Sequence, residues 1–101
     1  MKRDYYTKVS QVEVLNGTRA RVVEADPDRV AITISTTATG NALLEPIDTA
    51  SLTKGILLTS FQAYYKTSDQ EHPGLAAEAW DGYAISANVY FTIVETIYNP
   101  C

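Results

Sequence analysis

The segment spanning residues 88–98 constrains the fold most. Val89, Phe91, Ile93, Glu95 and Ile97 alternate with Tyr90, Thr92, Val94, Thr96 and Tyr98, a period of two that an extended strand separates onto two faces. Both faces are substantially apolar. Such a strand lies in the middle of a sheet, or has one face in a core and the other against a neighbouring subunit. Residues 29–36 repeat the pattern, with Val30, Ile32 and Ile34 alternating with Ala31, Thr33 and Ser35. The small residues on that second face imply that something packs close to it.

The rest of the chain supplies neighbours for these two strands. Its 101 residues include 8 Val, 7 Ile and 12 Thr, residue types that fit a pleated, half-buried surface, and turn residues recur at the intervals of a sandwich or barrel. Residues 9–15 read as a first strand, Asn16-Gly17 as a type I′ hairpin turn, and residues 18–24 as the returning strand. Ala25-Asp26-Pro27-Asp28 forms the next turn. After a loop around Gly40, residues 42–45 make a short strand stopped by Pro46. Residues 56–60 form another strand, and residues 61–66 either continue it through a bend or pair with it. Residues 67–74 read as a polar loop, residues 75–80 as a short strand, with a helix favoured by three alanines and Glu78 as the alternative, and Asp81-Gly82 as a turn leading into residues 83–86. The predicted architecture is all-β, an antiparallel β-sandwich or barrel of about eight strands, jelly-roll-like. Residues 9–98 form the domain, residues 1–8 an N-terminal arm and residues 99–101 a C-terminal tail.

The net charge of −4 is unevenly placed, with six Lys or Arg against five acids in residues 1–30 and two against seven in residues 31–101. An acidic body repels phosphate backbones, which argues against nucleic acid as a partner. The Thr-rich uncharged stretch of residues 31–44 carries Gly40 and Asn41 and is no membrane-spanning helix. The amino terminus has basic residues but not the apolar run of a secretory signal, so synthesis and residence in a cytosol are expected. A lone Cys101 fits a reducing compartment.

Catalytic constellations are scarce. The single histidine, His72, stands before Pro73-Gly74 in a polar loop and reads as a surface residue, and Cys101 has no cationic neighbour in sequence to make it a thiolate. One His and one Cys cannot build a zinc site. Asp26, Asp28, Asp48, Asp69 and Asp81 lack the spacing of a calcium loop and read as turn caps. Paired carboxylates such as Glu71 and Glu78 are compatible in spacing with glycoside hydrolysis, but so small a core argues against a substrate cleft. Phosphate-cradling glycine motifs are missing from the sequence. No cofactor, no metal and no enzymatic activity are therefore expected. Glu95 falls in phase with the apolar face of its strand. If buried it needs a partner from among Arg19, Arg21, Arg29 and Lys66; otherwise it reaches solvent at the strand end. Trp80 and Tyr83 flank Asp81-Gly82 either as a sugar-stacking platform or as core and rim packing.

Taken in order, Ala-Asp-Pro-Asp-Arg-Val-Ala-Ile-Thr-Ile-Ser (25–35), Gly-Ile-Leu-Leu (55–58), His-Pro-Gly-Leu (72–75) ahead of Trp80, and Asn-Val-Tyr-Phe-Thr-Ile-Val-Glu (88–95) resemble small all-β virion proteins of tailed bacteriophages. The resemblance covers roughly residues 20–98. It implies a capsid decoration (cement) protein on the exterior of the virion, made in the host cytoplasm. Such a protein binds across major capsid protein subunits of the expanded head, commonly as a homotrimer, with no nucleic-acid or membrane partner. The alternative it implies is a fibre or adhesin module that binds a host surface glycan through Trp80, Tyr83 and residues 67–74. On this reading the basic, aromatic arm (Lys2, Arg3, Tyr5, Tyr6, Lys8) binds the partner, and the second face of the closing strand (Tyr90, Thr92, Val94, Thr96, Tyr98) forms the oligomer interface.

Overall fold

In the computed structural model, which describes residues 5–36, 41–46, 56–59, 64–68, 70 and 74–99, the closing strand is the member around which the larger sheet is laid. Eight strands are present: β1 Tyr5–Val14, β2 Arg19–Val23, β3 Arg29–Thr36, β4 Ala42–Pro46, β5 Ile56–Leu58, β6 Tyr64–Ser68, β7 Trp80–Ala84 and β8 Val89–Tyr98. They form two four-stranded sheets, ordered β1-β8-β3-β6 and β2-β7-β4-β5, and every pairing is antiparallel. This is the expected all-β, jelly-roll-like sandwich, and no helix occurs among the described residues.

β8 lies between β1 and β3, and its burial alternates without a break. Val89, Phe91, Ile93, Glu95 and Ile97 point inward. Across the core they face the second sheet, where Val22, Ala42, Leu44, Leu58, Trp80 and Ala84 are buried. From β3, Ile32 and Ile34 complete the layer, as its period of two requires.

Several local expectations are corrected. β1 begins at Tyr5 rather than at residue 9. Tyr5, Tyr6, Thr7 and Lys8 pair with Tyr98, Ile97, Thr96 and Glu95, so Tyr5, Tyr6 and Lys8 belong to a strand and not to an arm. Lys2 and Arg3 lie outside the described residues. Leu15–Thr18 is a turn but not a hairpin. Thr18 N–H donates to the Leu15 carbonyl at 3.0 Å, Gly17 alone adopts positive φ (77°), and Asn16 does not, which is a type II rather than a type I′ turn. The backbone beyond it is already committed to β7: Gly17 N–H donates to the Ala84 carbonyl at 2.8 Å, and Ala84 N–H to the Thr18 carbonyl at 3.1 Å. β2 therefore leaves β1 and enters the other sheet. β5 and β6 likewise fall in different sheets.

Asp81-Gly82 is the middle of β7, not a turn, and the reason is steric. A Cβ on Gly82 would sit 2.7 Å from Phe91 Cζ, 2.8 Å from Cε1 and 3.0 Å from Val22 Cγ1. The Phe91 ring from the facing sheet occupies the space a side chain would need, so glycine here serves close packing. Residues 75–79, expected as a strand, instead form consecutive turns closed by Ala77 N–H to the Gly74 carbonyl and Glu78 N–H to the Leu75 carbonyl, both at 3.3 Å.

Gly82→Ala is expected to cost about 1–3 kcal/mol by overpacking, lowering the thermal midpoint by several degrees. Adding Phe91→Leu should make the double variant less destabilised than the sum of the two single changes, because the two residues share one space. Additive losses in a denaturation series would show that the contact is not limiting.

Candidate functional site

Two regions of the fold concentrate polar chemistry or exposed apolar surface: a cleft over a buried ion pair, and the outer face of the β1-β8-β3-β6 sheet.

The cleft is built from the turn that precedes β3. Asp26 Oδ1 accepts from Asp28 N–H at 2.9 Å, and Arg29 N–H donates to the Asp26 carbonyl at 3.0 Å. The turn thereby aims the Arg29 side chain inward, where it is 1% exposed. Its guanidinium donates from Nε to the Ala76 carbonyl (2.7 Å), from Nη1 to the Glu24 carbonyl (3.0 Å) and Glu95 Oε1 (3.0 Å), and from Nη2 to the carbonyls of Glu24 (3.1 Å) and Glu78 (2.7 Å). Those contacts match all five N–H groups a guanidinium carries. Of the partners sequence offered for Glu95, the structure selects Arg29. It also explains why residues 75–79 are not a strand: their carbonyls turn toward Arg29, and the Ala77 carbonyl accepts from Asp26 N–H at 2.9 Å. Above the pair lies an open cleft of about 430 Å³ bounded by Lys8, Ser10 and Val12 of β1 and residues 21–26. The guanidinium has thus spent every donor, on Glu95 and on three backbone carbonyls, and the pair ties the segments around it together.

Other charged groups are paired on the outer face of the second sheet. Arg19 meets Glu45 at 2.7 Å and lies 5.9 Å from the Tyr83 ring centre, while Arg21 bridges Asp81 at 2.7 Å and Glu24 at 2.9 Å. The hydrogen bond to Asp81 raises the Arg21 pKa further above its usual value.

The first sheet presents a different outer face. Residues directly opposite one another in a ladder share a face, so the registers place Tyr5, Thr7, Val9, Gln11 and Glu13 of β1 beside Tyr98, Thr96, Val94, Thr92 and Tyr90 of β8. Ala31, Thr33 and Ser35 of β3 follow, then Ser68, Lys66 and Tyr64 of β6. Among the described residues this face carries two charges, Glu13 and Lys66. Val9 is 64% exposed, Tyr5 51% and Tyr90 43%. The Tyr5 and Tyr98 rings lie 5.6 Å apart, and Gln11 Nε2 donates to Thr92 Oγ1 at 3.4 Å. The five β8 residues expected at an interface thus lie on one surface, together with Tyr5. Tyr6 and Lys8 point to the opposite side of β1. The small residues of β3 are partly buried.

The sugar-stacking reading of Trp80 is overturned. The ring is fully buried and packs 5.6 Å from Tyr65, because continuous strand through Asp81-Gly82 turns it into the core. Of the candidate aspartates, Asp26 caps its own turn and Asp81 is paired with Arg21, while Asp48 and Asp69 lie outside the described residues, as do Glu71, His72 and Cys101. No cluster of metal-ligating side chains occurs among the described residues.

No protein-family model and no curated protein matches the chain. Solved structures do. The protein superposes on a subunit structure of Bacillus endospore appendages, disulfide-linked pili, with a TM-score of 0.62 at 10% identity over 98% of this chain and 92% of that one. A de novo designed double-stranded β-helix matches with a TM-score of 0.58 at 19% identity, over 87% and 97% of the two chains. The Legionella pneumophila epimerase RmlC, in complex with its nucleotide sugar, gives 0.60 at 12% identity over 97% of this chain, which spans about half (51%) of the enzyme. At such identities these likenesses bear on the fold alone.

Arg29→Lys offers three N–H groups to four acceptor atoms, leaves at least one without a donor and is expected to cost about 1–3 kcal/mol. It should lower the urea midpoint with an unchanged m-value. A loss below about 1 kcal/mol would show that the guanidinium does not hold these segments together.

Proposed function

We propose that the protein is a non-catalytic structural subunit that packs the outer face of its β1-β8-β3-β6 sheet against a protein shell. The carrying observation is the contrast between the two outer faces. One is laced with the ion pairs of Arg19 and Arg21, whereas the other sets Tyr5, Val9, Tyr90, Val94 and Tyr98 among threonines. Aromatic enrichment with depletion of charge is the composition of an interface core. The resemblance to tailed-phage virion proteins supplies the setting, a decoration protein bound across major capsid subunits. Binding surface that exists only in the expanded shell stabilises that state by mass action.

Expanded shells are expected to bind the protein more than tenfold tighter, about 1.4 kcal/mol, than unexpanded shells or free major capsid subunits. Val94→Lys should weaken that binding by a similar factor while leaving the thermal transition in place, since the side chain is exposed. Equal binding to the three species would refute the role, and unaltered binding by Val94→Lys would refute the assignment of the face.

A further inference from the structure

Among the described residues four strands stand at sheet edges, and three of them are short or interrupted. β5 has three residues and β6 five; β2 has five, with a register shift between Arg21 and Val23 and two arginines along it. Brevity, bulges and charge are the usual means of keeping an edge from pairing with another chain. β1 has none of the first two. It runs ten residues in unbroken register with β8, from Tyr5↔Tyr98 to Val14↔Val89, contains no proline, and among the described residues has β8 as its single neighbour in the sheet. Its two charges, Lys8 and Glu13, point to opposite faces. Val9, at its middle, is 64% exposed, and Tyr6 is 49% exposed on the other face.

We infer that β1 pairs antiparallel with β1 of a second copy across a two-fold axis at Val9, joining two four-stranded sheets into one of eight. The sequence of the strand selects this register. With the axis at Val9, Val9 faces Val9 and Thr7 faces Gln11 on the outer side, while Lys8 faces Ser10 and Tyr6 faces Val12 on the inner side. No two like charges stand directly opposite, and cross-strand pairs of this kind are the unit of sheet stabilisation. Moving the axis to Lys8 would set two ammonium groups against each other. Moving it to Ser10 would put Val9 opposite Gln11 and divide the apolar residues. At Val9, by contrast, the Val9↔Val94 pair of one copy continues into that of the other, and the valines form one row across both sheets. The strand is thus complementary to itself, which singles out a second copy as the occupant. The contact is isologous and closes at two copies, unlike the three-fold association expected from the closing strand. It holds whatever the outer face docks on.

Sedimentation velocity of the full chain at tens of micromolar should show a dimer. Val9→Lys should raise the dissociation constant more than tenfold with an unchanged circular dichroism spectrum, and should remove the concentration dependence of the melting temperature that dimerisation confers. In a background carrying Cys101→Ser, Val9→Cys should oxidise to a covalent dimer, because the two side chains meet at the axis. Thr7→Cys alone should not, but should crosslink to Gln11→Cys when the two are mixed. A monomer, a trimer, or crosslinking of Thr7→Cys as readily as Val9→Cys would overturn the pairing.

Discussion

The Arg29 guanidinium is the point on which the described parts of the chain converge. It joins the β2–β3 connection through Glu24, the turns of residues 74–79 through Ala76 and Glu78, and the middle of the larger sheet through Glu95. A buried ion pair is weak evidence of net stabilisation, since two desolvated charges recover little more than they lose. Its consequence is specificity: a cation at 1% exposure tolerates only the arrangement that supplies all its acceptors. The loop ahead of β7 is therefore fixed in place, and with it the entry of Trp80 into the core.

That arrangement separates structural from interactive polarity. Inside, charge is consumed by architecture; on the second sheet's surface it is consumed by neighbouring side chains. On the outer face of the first sheet the described residues are instead mostly apolar, aromatic or small, with Glu13 and Lys66 as the two charges, and the exposed apolar surface is concentrated where β1 and β8 run side by side. The building-element role proposed above rests on this division, with affinity spread over area instead of focused on a reactive group.

Much of this was legible in the sequence, for identifiable reasons. The two strands with alternating apolar residues, 29–36 and 88–98, are legible to within a residue, although a register shift between Arg29 and Ala31 breaks the period of β3, so that Arg29 is buried and Val30, expected on the core face, only partly so. The same parity places the outward residues of β8 on one face, and it marks Glu95, a carboxylate in phase with Phe91 and Ile93, as needing a partner if buried. The failures were all tertiary. Asp81-Gly82 carries strong turn chemistry, but Phe91 from another sheet decides its conformation. Residues 75–79 have no local signal that their carbonyls serve an arginine about 47 positions earlier. Asn16-Gly17 marked a turn correctly, yet whether the strands beyond it pair was settled by Ala84. Tyr5 to Lys8 looked like an arm because the ladder that orders them is formed with the far end of the chain.

That last pairing has a consequence for how the protein comes into being. The first described strand has the last as its ladder partner, with 75 positions between Val14 and Val89. At translation speeds of roughly 5–20 residues per second, β1 waits about 4–15 s for β8 to be made. During that interval Val9, Val12 and Val14 are bare, and the high separation of the contacts that must close makes the final step slow. A nascent chain in this condition is a client for holding chaperones, and any interruption of synthesis ahead of Val89 withholds the strand on which both β1 and β3 are laid.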